Sequence, residues 1–190
     1  ISLIRTLPNM NVIVPADSVE MEKVLKKVHW IKEPFYIRMS REKFPVIMPQ
    51  DYEFELGKGY VLKEGEDVSV IACGVMVSIA LQAAYELESE GIDVEVINMA
   101  SIKPIDRELI VQTAKKTKAV VTSEEHSIIG GLGSAVAEVL GEECPTILVR
   151  HGVEDRFGIS GPAWEVMEEM GLSVEGLKNK VRLALSKKTK

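Results

Sequence analysis

An α/β fold in three layers, a mostly parallel sheet with helices on both faces and a partial α/β unit ahead of it, is predicted by three features of the sequence. First, short runs dominated by Val, Ile and Ala recur along the chain, at Val68–Cys73, Asp93–Asn98, Ala119–Ser123 and Thr146–Arg150. Such continuous apolar runs suit parallel strands buried on both faces. Second, segments with an apolar stripe at helical spacing separate them, which is the alternation that builds a parallel sheet covered by helices. Third, the periodicity disappears from Glu42 to Leu56, where Pro45, Pro49, Asp51, Glu53 and Glu55 interrupt the chain. The reading that follows is residues 1–48 as the end of one α/β domain, 49–56 as a linker, and 57–190 as a complete second domain.

Taken in order, Ile1–Met10 reads as the tail of a helix leading into a strand, Asn11–Val14, stopped by Pro15. With no Met at position 1, this start reads as a cut through an existing domain. Asp17 stands at an N-cap position with Glu20 three residues on, a capping box, and Val24, Leu25, Val28 and Ile31 form one stripe, so a helix is expected over Ser18–Ile31. His29 falls on its surface. Glu33-Pro34 breaks the helix, and Phe35–Met39 is the next strand, completing a β-α-β unit that ends at Ser40-Arg41.

Beyond the linker, Gly59–Lys63 reads as an edge strand turned through Glu64–Asp67 into Val68–Cys73, a hairpin on the rim of the sheet. A helix follows from Gly74, with Val77, Ala80, Leu81, Ala84 and Leu87 on one face and Gly91 as its left-handed cap. Pro104 and Asp106 introduce another helix to about Lys116. The last elements are a helix over Ser134–Leu140, the strand Thr146–Arg150, and helices around Trp164–Met170 and Val174–Ser186.

The organising stretch is Ala119–Val136. A buried strand ends in Glu124-Glu125-His126, a polar tip, and Gly130, Gly131 and Gly133 then lead into a helix. The crevice beyond the carboxyl ends of parallel strands is where ligands or partners sit in such sheets. A glycine turn before a helix can bind phosphate, but the spacing here departs from a dinucleotide fingerprint, with Val136 where Gly or Ala belongs. A tight turn that lets the helix approach a neighbour is the plainer reading. Glu124, Glu125, His126, His151 and Asp155 have the right types for a metal or acid–base set, yet nothing in their spacing places them together, and a structural or interface role is the competing reading. No nucleophile elbow, Walker loop or zinc pattern occurs. Arg41 directly follows a strand, so its guanidinium can stand at the carboxyl edge of a parallel sheet, where an arginine fork suits a phosphate. A surface salt bridge is the alternative.

Composition narrows the partners. The 190 residues are 46% hydrophobic and 27% charged, with a net charge of −6. No run of Lys/Arg with interleaved aromatics occurs outside the basic tail Lys187–Lys190, so neither nucleic acid nor an anionic membrane is an expected partner. No apolar run reaches the roughly 18 residues of a membrane helix, and the first residues resemble neither a signal nor a transit peptide. Cys73 and Cys144 lack any metal or redox spacing and fit reduced thiols in the cytoplasm, Cys73 as a small core residue.

These residues together resemble the C-terminal part of transketolase. Ile4–Met10 followed by Val14-Pro15-Ala16-Asp17 is similar to the family's R-x-x-P-N and P-A-D passage, and Ile37–Arg41 to the end of its pyrimidine-binding domain. Glu124–His126, Gly130–Gly133 and Asp155–Gly161, Asp-Arg-Phe-Gly-Ile-Ser-Gly, are similar to its C-terminal domain. The last segment favours transketolase over 1-deoxyxylulose-5-phosphate synthases and the beta subunits of 2-oxoacid dehydrogenases.

The resemblance implies a thiamine-diphosphate enzyme of the pentose phosphate pathway that moves a two-carbon ketol unit between sugar phosphates at sites built on a dimer interface. It implies that Arg41 binds the substrate phosphate. It also implies what lies elsewhere: the Gly-Asp-Gly and Asn segment holding Mg2+ and the diphosphate, the glutamate that activates the aminopyrimidine and the cleft histidines have no counterpart in this chain. By itself this section is then expected to bind no cofactor and to be inactive, pairing with a second copy or with a cofactor-binding half or subunit. The Glu124–Gly133 tip is expected to serve domain packing and dimer contact. A non-catalytic assembly module is the alternative from another class.

Overall fold

In the computed structural model, residues 1–188 are described; Thr189 and Lys190 of the basic tail lie outside them. Fifteen elements follow in chain order: α1 (Ser2–Arg5), β1 (Asn11–Ile13), α2 (Ser18–Val28), β2 (Phe35–Ile37), β3 (Tyr60–Lys63), β4 (Val68–Ala72), α3 (Met76–Glu88), β5 (Val94–Asn98), β6 (Ser101–Lys103), α4 (Arg107–Thr117), β7 (Ala119–Ser127), α5 (Leu132–Glu143), β8 (Ile147–Val153), α6 (Ala163–Glu169) and α7 (Val174–Lys188). The larger sheet has the order β3-β5-β4-β7-β8, parallel throughout except for β3.

Alternation along the central strand makes the three layers. On β4, Val68, Val70 and Ala72 face a core completed by α3 and by Leu177, Val181 and Ala184 of α7. Ile71 and the following Cys73 face the opposite core, with Ile110 and Ala114 of α4 and Val136 and Val139 of α5. Successive side chains point to opposite faces of a strand, so a run with apolar residues on both faces must be covered twice. Each fully buried Val, Leu or Ile contributes about 1.5–3 kcal/mol.

The expected hairpin between β3 and β4 does not form. β3 is an edge strand, but it pairs antiparallel with β5, one strand further out. The intervening turn passes beneath the start of β5: Asp67 N–H donates to the Asp93 carbonyl at 2.9 Å, and Asp93 N–H donates to Asp67 Oδ2 at 2.8 Å. Gly65 permits the crossing, because a Cβ there would stand 2.3 Å from the Glu95 nitrogen and the Val94 carbonyl carbon. Two apolar strands joined by an acidic turn look like a hairpin locally, and only the parallel β4–β5 pairing made by the α3 crossover excludes it.

The first unit is a small sheet, β2-β1-β6, in which β1 and β2 run parallel as the β-α-β reading requires. Its third strand was not foreseen: β6, Ser101–Lys103, pairs antiparallel with β1. The helix between β1 and β2 stops at Val28 rather than Ile31. Asp17 caps it as expected, accepting the Glu20 N–H at 2.9 Å, but Glu20 does not close a box on the cap residue. Its carboxylate is wholly buried and accepts from Ala16 N–H at 2.7 Å, the Tyr52 hydroxyl at 2.9 Å and Asn98 Nδ2 at 2.7 Å. Desolvation raises its pKa. Residues 42–56 contain no helix or strand, yet Met48, Tyr52 and Phe54 are buried, and Asp17 Oδ2 accepts the N–H groups of Ile47 and Met48 at 2.6 and 2.7 Å. This stretch packs against both sheets through Glu20 and its partners.

Candidate functional site

In the larger sheet the chain leaves β4 toward β5 on one side and later returns to place β7 on the other. The carboxyl ends of β4 and β7 therefore form a topological switch point, the place where open α/β sheets open a crevice. A cleft of about 470 Å3 lies there. Cys73, Gly74 and Val75 beyond β4 and Glu125 of β7 form one wall. Val14–Ser18 beyond β1 and the segment beyond β2, notably Arg38, Ser40, Lys43 and Phe44, form the other. Gly74 has φ +59° and its amide donates to the Val14 carbonyl at 3.1 Å, which fastens the two sheets together at the cleft floor. Burial pushes the Cys73 thiol up, so it stays protonated and serves as an apolar wall.

One ion pair crosses the cleft. Arg38 Nη1 donates to the Glu125 carbonyl at 2.7 Å, and Nη2 lies 3.7 Å from Glu125 Oε1. The backbone of Arg38 continues the β1–β2 ladder by donating to the Ile13 carbonyl at 2.9 Å. Sequence reasoning missed both residues in this role, since nothing in either segment announces which strand ends will face each other. Arg41 itself is exposed on the rim: Ser40, Glu42 and Lys43 line the cleft and Arg41 does not. Among the described residues Arg41 has no ion-pair partner.

The supposed tip is not a tip. β7 continues through Ser127, and its pairing with β8 shifts register between Ser123 and Ser127. Alternation sends consecutive polar residues different ways. Glu124 is fully buried and accepts the N–H groups of Leu132 and Gly133, both at 2.8 Å. Desolvation raises its pKa to about 6, and the two backbone hydrogen bonds oppose the rise. Glu125 faces the cleft. His126 Nδ1 lies 2.8 Å from the Ser127 carbonyl, and burial lowers its pKa.

The glycine turn thus has an anion already. The free amides at the start of α5 are taken by Glu124 of the same chain, so the phosphate site that a glycine turn before a helix suggests is filled from inside. Gly131 is required by the contact, because a Cβ there would meet Glu124 Oε2 at 1.9 Å. A Cβ on Gly133 would meet Thr122 Oγ1 at 2.8 Å, and Gly130, at φ +77°, faces Ser2.

Of the five candidates for a metal or acid–base set only Glu124 and His126 come together, with Oε2 and Nδ1 3.7 Å apart; the others stay apart. His151 is buried, with Nδ1 2.9 Å from Ser123 Oγ and Nε2 2.8 Å from the Gly171 carbonyl, and Asp155 is exposed in the loop before α6. Among the described residues no three His, Cys, Asp or Glu side chains stand where they could hold a metal ion. These residues do not fit a Mg2+–diphosphate group. No helix among the described residues is long and apolar enough to cross a membrane, and both cysteines are free.

Comparison with known proteins gives a consistent answer. The family model described as "Transketolase, C-terminal domain" matches residues 57–177. A 6-deoxy-6-sulfo-D-fructose transketolase subunit from a Clostridium species is 44% identical over 175 residues, covering 92% of this chain and 54% of that protein. A putative transketolase C-terminal section from Methanocaldococcus jannaschii is 42% identical, covering 98% of this chain and 59% of that protein. A 1-deoxy-D-xylulose-5-phosphate synthase from Geobacter sulfurreducens is 38% identical over 93% of this chain, which spans 28% of that enzyme. Among solved structures, a split-gene transketolase described as an inactive beta4 tetramer superimposes with a TM-score of 0.95 at 51% identity, over 97% of this chain and 61% of that one. The chain spans little more than half the length of the transketolase relatives it matches. With the fold, the switch-point cleft and these matches in agreement, the chain belongs to the transketolase C-terminal domain family.

Proposed function

We propose that this chain is the C-terminal section of a transketolase that transfers a two-carbon ketol unit between sugar phosphates, working together with a cofactor-binding half. The observation that carries this reading is the position of Arg41 on the rim of the switch-point cleft, flanked by the lining residues Ser40, Glu42 and Lys43 and unengaged by any carboxylate of the described chain. An unpaired guanidinium at a cleft mouth is available to fork onto a phosphate. In this reading Arg41 holds the phosphate end of the sugar and so orients its reacting carbonyl end, and the Glu125 carboxylate that faces the cleft is paired internally with Arg38. Thiamine diphosphate and Mg2+ would be held by the other half, which supplies the carbanion-stabilising chemistry.

The test is ketol transfer by the assembled protein, Arg41→Ala against the unmodified chain, on a phosphorylated ketose and on hydroxypyruvate. A charge-assisted contact of about 1.5–3 kcal/mol corresponds to roughly a ten- to hundredfold loss of kcat/KM, confined to the phosphorylated donor. Equal losses, or none, remove Arg41 from the site.

The 38% identity to the Geobacter synthase supports a second reading, 1-deoxyxylulose-5-phosphate synthesis. Condensation of pyruvate with glyceraldehyde 3-phosphate by the same preparation, without transfer from a ketose phosphate, would favour it.

A further inference from the structure

Arg41 lies midway along a segment fastened at both ends to the later part of the chain. Three residues before it, Arg38 donates to the Glu125 carbonyl of β7 at 2.7 Å and lies against the Glu125 carboxylate. Three residues after it, the ring of Phe44 meets Trp164 of α6 edge to face, with centroids 4.8 Å apart. Between these points the chain has no regular structure, and its one internal side-chain bond is Glu42 N–H to Ser40 Oγ at 3.2 Å. Met39 is 67% exposed. A segment with so few contacts of its own takes its position from its anchors.

We infer that Arg38–Glu125 and Phe44–Trp164 are two anchors through which the C-terminal unit positions Arg41 over the cleft, making Arg38, Glu125 and Trp164 positioning residues for phosphate recognition. The inference rests on the proposed phosphate role of Arg41 and deepens it. It also gives work to a region that the reading above leaves idle: Trp164 stands in the first turn of α6, which follows the Asp155–Gly161 motif, and Arg156 of that motif ties the loop to α6 by donating to the Glu169 carbonyl at 2.8 Å. A guanidinium fork is directional, so a displacement of the order of an ångström is enough to lose it.

The experiment uses the assembled enzyme carrying Arg38→Ala, Trp164→Ala and the milder Arg38→Lys and Trp164→Phe, each alone and combined with Arg41→Ala. The expected result for each alanine variant is a loss of about tenfold in kcat/KM on a phosphorylated ketose, larger than any loss on hydroxypyruvate, partial recovery in Trp164→Phe, and no further loss when Arg41 is already alanine. Losses that multiply with Arg41→Ala mean direct contact with substrate and overturn the inference, as do equal losses on both donors. Hydrogen exchange of residues 39–44 in the same variants gives an independent reading: faster exchange is expected, and unchanged exchange overturns the anchors. If Arg41→Ala alone has no effect on the phosphorylated donor, the phosphate reading fails, while the exchange data still decide whether the anchors hold the segment.

Discussion

Glu124 Oε1 and the backbone nitrogen of Gly133 are 2.8 Å apart across the start of α5, and Glu124 Oε2 holds Leu132 N–H at the same distance. One buried carboxylate thus satisfies two of the amides a helix start leaves without partners. Gly131→Ala would drive a methyl into Oε2 and break this arrangement. The expected cost is about 1–3 kcal/mol for each buried group left unsatisfied, read as a lower urea midpoint. Gly141→Ala in the same helix meets nothing within 4 Å and should stabilise by about 0.5–1 kcal/mol.

The same carboxylate predicts a pH dependence. Its folded pKa, about 6, is above the ordinary 4.5, so between these values the folded protein binds more proton than the unfolded chain. Stability from this group is therefore present in full below pH 4.5 and is lost as pH rises through about 6, amounting to roughly 2 kcal/mol. Subtracting the unfolding free energy of Glu124→Gln from that of the unmodified chain, across pH 4 to about 7, should show this falling component; a flat difference would refute it.

Glu20 is another wholly buried carboxylate, with three donors from three parts of the chain. Glu20→Ala leaves the Tyr52 hydroxyl, the Asn98 amide and the Ala16 N–H without their acceptor, and should lower stability by about 3–5 kcal/mol. Tyr52→Phe removes one donor and should cost about 0.5–1.5 kcal/mol. Thermal unfolding of the two variants side by side would order them.

Gly65→Ala tests the passage of the turn after β3 beneath the start of β5. The atoms a Cβ would meet at 2.3 Å are backbone of Val94 and Glu95 and have no rotamer by which to yield. The loss should reach the upper part of the roughly 1–3 kcal/mol typical of overpacking, with amide exchange quickening in Tyr60–Lys63. A hairpin between β3 and β4 would instead tolerate the alanine.

By itself the sequence determined the layered α/β class, because strands apolar on both faces must be covered on both, and the starts of α2 and α4, because Asp17 and Asp106 accept N–H groups three residues away. Those are local rules, legible along the chain. The family resemblance was legible too, being carried by contiguous motifs such as Glu124–His126 and Asp155–Gly161. Only the tertiary structure decided that Glu124 is an internal helix cap, that β3 pairs with β5, that β6 joins the first sheet, and that Arg38 faces Glu125 across a cleft. All but the first of these join residues distant in the chain, by 87 positions in the case of Arg38 and Glu125. A strand's period states which residues share a face but not which strand end will stand opposite it. That choice belongs to the crossovers and to the packing of two sheets against one another.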